Sequence, residues 1–267
     1  MLSVLVARSL GRARGLIIGL GALLCTFQVL LVVVAREISR ERMFTQLTAL
    51  IPAAVQQMAG GLVFSSFGGL ALFGFFHPVV VIVFVEAAIF LAVEPAWEVE
   101  AGIVDLTLAR PVPRWMMLTR TIIVVFGSTA AFAALMAIAS RVALHALAPP
   151  GAAWPRLAST ALLALNLTTL AWCFAAFGLL IATSVRRRSA ALGIAGVAAV
   201  GLDLLNVLAE LWRPMYSLRH VSPFHYYNAP ALLALSGSSW RRDVLVLLVV
   251  TIALCVSALL NYQRRDL

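Results

Sequence analysis

The sequence predicts an all-α membrane protein of about six transmembrane helices, and three observations point to that class. Of 267 residues, 63% are hydrophobic and only 12% are charged. A soluble domain carries roughly 45–50% apolar and about 25% charged residues, so the excess has no room in one globular core. Several apolar stretches reach the roughly 20 residues that a helix needs to cross a hydrocarbon layer about 30 Å thick. The 20 basic residues, all of them arginine, lie largely between those stretches. Residues 1–267 therefore read as a single membrane domain.

The first span is expected over 15–35. Arg8, Arg12 and Arg14 precede it, as in a signal peptide, but the apolar run is too long for a signal core and no small-x-small cleavage site follows. The run is therefore expected to be retained. After the mixed patch Arg36-Glu37-Ile38-Ser39-Arg40-Glu41-Arg42, residues 45–76 are apolar but interrupted by Pro52, Gln56, Gln57 and several glycines. This stretch is expected to be interfacial or re-entrant, a seventh span being the alternative. Further spans are expected over 78–93, 121–140, 157–185, 190–211 and 244–260. Pro149-Pro150-Gly151 turns the chain between the third and fourth, and Arg186-Arg187-Arg188 separates the fourth from the fifth.

Arginine placement gives the orientation. With the N-terminus inside, the inner side holds Arg8, Arg12, Arg14, Arg110, Arg114, Arg120, Arg186, Arg187, Arg188, Arg264 and Arg265, against nine on the outer side. The outer loops are about twofold longer, so arginine density favours both termini on the cytoplasmic side; the membrane itself is expected to be a bacterial inner membrane.

Several function classes find no support. The net charge of +9 is dispersed between apolar runs, whereas a nucleic-acid-binding face gathers its charge. A GxxxxGK[ST] phosphate loop is impossible without lysine, so no ATP site of that kind lies on this chain. HExxH and GxSxG are absent as well. Cys25, Cys173 and Cys255 each fall inside an expected span, and His77, His145, His220 and His225 fall near span ends or in loops. Neither set has metal-ligand spacing.

The stretch from Glu94 to Leu118 carries the most information. Glu94, Glu98, Glu100 and Asp105 follow the second span. Val99, Ile103 and Leu106 stand at i, i+4 and i+7, one face of a helix that Pro111 and Pro113 would stop. Acidic residues in a first helical turn are favoured by the helix dipole, so a capped interfacial loop helix suffices to explain the pattern. Arg114 and Arg120 are expected to reach the head groups as the third span enters lipid. Inside the spans, Glu86 sits midway along the second. Asp203, Asn206 and Glu210 form a stripe at i, i+3 and i+7 in the fifth. Such residues avoid lipid. They would line a path or a subunit interface, or hydrogen-bond between helices, whereas Phe84 and Phe90 beside Glu86 read as packing or lipid-facing residues.

Glu98-Val99-Glu100-Ala101-Gly102, the apolar run 103–108, Arg110-Pro111 and Arg114 together resemble the signature of the type-2 ATP-binding-cassette permease family. Ser222-Pro223-Phe224 before the last span and the ending Tyr262-Gln263-Arg264-Arg265-Asp266-Leu267 are similar to that family too, although Glu94-Pro95-Ala96 departs from its pattern. The resemblance implies a permease subunit, an exporter by family expectation. It would pair with a second permease subunit and with a separate ATPase chain that binds the ATP and magnesium. Glu98, Glu100, Gly102, Ile103, Asp105, Leu106, Arg110 and Arg114 would then form a coupling helix docking on that ATPase. The competing expectations are an accessory or assembly membrane protein and an intramembrane enzyme.

Overall fold

The computed structural model describes residues 1–40, 66–103, 113–229, 232 and 239–264. Among them there is no strand. The helices are α1 (Leu2–Arg40), α2 (Phe67–Ala71), α3 (Pro78–Ala92), α4 (Glu94–Glu100), α5 (Arg114–Leu147), α6 (Leu157–Ser184), α7 (Arg188–Leu211) and α8 (Ser239–Arg264). Short 3-10 segments lie at Phe73–Phe75, Arg213–Val221 and Pro223–Tyr226. Among the described residues five helices are each long and apolar enough to cross a membrane, and α3 and α4, bent by 41° at their junction, meet the same criterion only when taken together. The all-helical membrane architecture is thus present.

α3, α6 and α7 match the expected spans to within two residues, whereas α1, α5 and α8 outrun theirs. α1 has 39 residues, about 58 Å at the helical rise, against about 30 Å of hydrocarbon. Its arginine-bearing ends continue the helix past the apolar run, with Glu37 and Arg40 paired at i, i+3. α5 likewise starts at Arg114 and runs to Leu147, because Pro113 and the turn at Gly151, with φ of 79°, are what delimit it.

α6 is the centre of the bundle, touching α3, α5, α7 and α8, while α1 packs chiefly on α5. The most apolar window of α6 is 67% buried, against 17% for α7 and α8, which places those two at the edge. Its composition allows this. Small residues let neighbours approach closely: a Cβ on Gly178 would stand only 3.6 Å from Ile89 Cα. Its hydroxyls return to their own helix, Thr168 donating to the Ala164 carbonyl at 2.7 Å and Thr169 to that of Asn166 at 2.9 Å. Between helices, Trp172 Nε1 donates to Thr129 Oγ1 at 3.0 Å and its ring stacks on Phe126 at 4.8 Å.

Of the interrupted stretch 45–76, residues 45–65 lie outside the described residues. The remainder does not span. Ser66 caps the five-residue α2 by accepting from Gly69 N–H, and α2 packs with Val32, Ala35, Ala143 and Leu144 of α1 and α5. The buried Gln28 of α1 secures it by donating to the Ala71 carbonyl at 2.7 Å. A Cβ on Gly74 would overlap Gln28 Oε1 and stand 3.0 Å from Leu31 Cδ1. Gly74→Ala is therefore expected to displace Gln28 and to cost about 1–3 kcal/mol in unfolding measured in detergent. Stability equal to wild type would show that Gln28 yields freely.

Candidate functional site

Glu94 and Glu98 lie one turn apart on α4, the bent end of the second span. Pro95 is tolerated there because it occupies the first turn of a new helix. Both carboxylates turn into the bundle. Arg120, one and a half turns into α5, forms a bidentate pair with Glu98 at 2.8 Å (Nη1 to Oε1) and 3.0 Å (Nη2 to Oε2), and both residues are only 2% exposed. Arg120 also stands 3.5 Å from Glu94 Oε2. Arg12 of α1 pairs with Glu94 and, at 3.0 Å, with Glu98, while Ser9 Oγ donates to Glu94 Oε1 at 3.0 Å. Arg12 also lies 5.0 Å over the Trp97 ring. From α8, Tyr262 is buried within electrostatic reach of Arg120.

Two guanidiniums and two carboxylates thus balance in one buried knot that ties α1, α4 and α5 together. The knot lies at the end of the second apolar stretch, where the uncharged turns of α3 after Glu86 give way to the acidic residues of α4. Charges there persist only when paired and hydrogen-bonded.

This geometry corrects two expectations. Glu98 is not a surface acid free to meet another protein, since its charge is spent inside the bundle. Arg120 does not reach the head groups, because its guanidinium is drawn inward by Glu98 and Glu94. A third correction concerns the helix reading: α4 ends at Glu100 and Gly102 takes φ of 66°, so Val99 and Ile103 do not share one continuous helical face. A left-handed residue stops a helix, and glycine adopts it without strain. A Cβ on Gly102 would meet nothing within 4 Å in this chain, so within the chain it is the conformation that calls for glycine here.

Glu100 remains exposed and accepts from the Arg188 backbone N–H at 2.8 Å, tying α4 to the start of α7. Ile103 is half-buried. Arg114 opens α5. Asp105, Leu106 and Arg110 lie outside the described residues. Sequence reasoning missed Ser9 and Arg12, as well as the role of Arg120. An arginine six residues into an apolar helix was a usable signal, because it requires a partner.

The membrane acids lie elsewhere. Glu86 faces α7, where a Cβ on Gly196 would stand 2.9 Å from its Oε2. Asp203 and Glu210 follow Gly196 at seven-residue steps, so these positions share one face of α7. Asn206 Oδ1 is buried without a hydrogen-bond partner among the described residues. Phe84 is buried and Phe90 partly exposed.

Beyond α7 the chain turns back. Arg213–Val221 runs along α7, bringing Arg219 within electrostatic reach of Glu210. Buried Ser222 then donates to the Leu202 carbonyl at 2.8 Å and accepts from Phe224 N–H. Leu202 lies nine residues, about 13 Å, inside the end of α7, so Ser222-Pro223-Phe224 dips into the bundle. Phe224 packs on Phe174 of α6 at 5.0 Å, and Tyr227 Oη donates to the Phe75 carbonyl at 2.7 Å.

His225, in this segment, packs edge-on to His220 at 4.7 Å. Its pKa is lowered by burial first, then by Arg219, His220 and Arg242. The unfolded segment thus binds a proton more readily than the folded one, so stability rises with pH across this window. Acidification below the ordinary histidine pKa of about 6.5 is expected to loosen the segment, as seen in amide exchange of 213–227. His225→Gln should remove the dependence, and an unchanged profile would reject the assignment.

Among the described residues no three His, Cys, Asp or Glu side chains converge as a metal site requires. Compared with known proteins, the chain matches no family model, and no curated protein gives a significant match.

Proposed function

We propose that the chain is a membrane permease subunit of an ATP-binding-cassette transporter, working as an exporter with a second permease subunit and a separate ATPase that holds ATP and magnesium. The observation that carries this reading is the buried knot. In the sequence, 101–113 joins α4 to α5, the two helices that the knot ties to α1, so in this reading a force applied to that segment reaches the spans of α1, α3 and α5 through the knot. In this reading the segment is the docking point. Glu100, Gly102 and Ile103 lie at its base, and Asp105, Leu106, Arg110 and Arg114 complete it. ATP binding on the partner adds a contact in one conformation and shifts the bundle between two states. Both termini would lie on the cytoplasmic side of the cell membrane together with the knot. Glu86 and the face of α7 carrying Asp203, Asn206 and Glu210 would line the route or the contact with the second permease.

The test is co-purification of the full chain with a P-loop ATPase encoded beside it. Binding is expected at low salt. Glu100→Arg should weaken it while leaving the elution profile of the permease unchanged. Equal recovery with Glu100→Arg, or no ATPase bound at any salt, would overturn the reading.

A further inference from the structure

A pocket of about 300 Å³ opens beside the knot, between α1 and α7, and its floor is formed by α3, α4 and α5. Its walls are of two kinds. Phe90, Leu91 and Val124 are apolar, whereas Arg12, Glu94 and Arg188 bring charge, the first two already paired with each other. The Arg188 guanidinium lies 4.3 Å over the Phe90 ring, and its Nε is buried with no hydrogen-bond partner among the described residues. A buried guanidinium N–H without an acceptor is costly, and an anionic oxygen is the group that would satisfy it.

The charge balance agrees. Arg12 and Arg120 are matched by Glu94 and Glu98. Glu100 bonds the Arg188 backbone N–H from the surface. Among the described residues, the guanidinium of Arg188 is therefore the cation left facing the pocket, at the positive N-terminal end of the 24-residue α7.

The location selects among anions. Glu94 follows directly on the apolar α3, and Arg12 and Arg188 stand at the arginine-bearing ends of their spans, the composition of helices passing from hydrocarbon to head groups. Farther along the flanking helices the outward residues are apolar, with Ile18 on α1 69% exposed and Val197 on α7 74% exposed. An anion held here thus has apolar surface beside it on which acyl chains can lie.

We propose that this pocket binds the head group of an anionic phospholipid, its phosphate held by Arg188 at the start of α7 and its first chain carbons against Phe90 and Val124. The site needs no assumption about transport and stands apart from the functional reading above.

The test uses the full chain purified in detergent, with native mass spectrometry against phosphatidylglycerol, phosphatidylcholine and inorganic phosphate. Phosphatidylglycerol is expected to be retained in preference to phosphatidylcholine, and excess inorganic phosphate should not displace it. Arg188→Gln should weaken its retention by about tenfold or more, the effect of losing a charge-assisted hydrogen bond. Equal retention of the two lipids, or displacement by inorganic phosphate, would overturn the proposal. So would unchanged retention in an Arg188→Gln protein with a wild-type elution profile. If that variant aggregates, the comparison of the two lipids and the phosphate competition on the wild-type chain decide the matter.

Discussion

Arg120→Ala is expected to cost the folded bundle about 3–5 kcal/mol, the largest loss from any single substitution outside the apolar core. Arg120 is 2% exposed and supplies both hydrogen bonds of the bidentate pair with Glu98. Without it, Glu94 and Glu98 share only Arg12, and one buried negative charge goes uncompensated. The double variant Glu98→Leu/Arg120→Met should recover most of that loss. It removes one charge of each sign and leaves Arg12 with Glu94. Replacing a buried pair by apolar residues of similar volume is often neutral. Reversible unfolding in mixed detergent is the measurement. An Arg120→Ala midpoint equal to wild type would mean that water or head groups solvate Glu98, and the buried knot would not exist.

Phe224→Ala is expected to cost a comparable amount, about 3–5 kcal/mol, through a different mechanism. Phe224 is 5% exposed and is the apolar plug of the segment that turns back into the bundle, lying against Phe174. Ser222 alone, with one hydrogen bond to Leu202, is too weak an anchor to hold the dip. Loss of the ring should release 213–227 while the spans persist, because local opening follows the few buried contacts a segment makes. Amide exchange in that segment should speed up strongly with little change in α6. Unchanged protection would show that Arg213–Val221 holds its place on α7 by its own contacts.

The sequence made the spans legible because run length and composition alone decide whether a helix can sit in lipid. It was less informative about helix ends. A helix does not stop where lipid stops, and Arg8 to Arg14 extend α1 as readily as leucine would. The knot was hidden for a different reason. Glu98 and Arg120 are separated by Pro111, Pro113 and the end of α4, and Arg12 lies at the far end of the chain. Each side chain read singly as a surface charge. The helical face drawn through Val99, Ile103 and Leu106 failed at Gly102, where a single left-handed residue breaks the register. Ser222-Pro223-Phe224 stood out in the sequence, but its depth did not, because partners remote in sequence, the Leu202 carbonyl and the Phe174 ring among them, fix it. The stripe of Asp203, Asn206 and Glu210 was visible because it needs nothing beyond helical periodicity.

The proposal that an ATPase docks at the base of the knot is tested most directly by site-specific photo-crosslinking in membranes that contain the full chain and the candidate ATPase. A photoreactive residue at Ile103 should capture the ATPase, and the same residue at Ser217, at the opposite end of the bundle, should not. Capture from Ser217, or none from Ile103 in membranes where the two proteins co-purify, would contradict the proposed docking site.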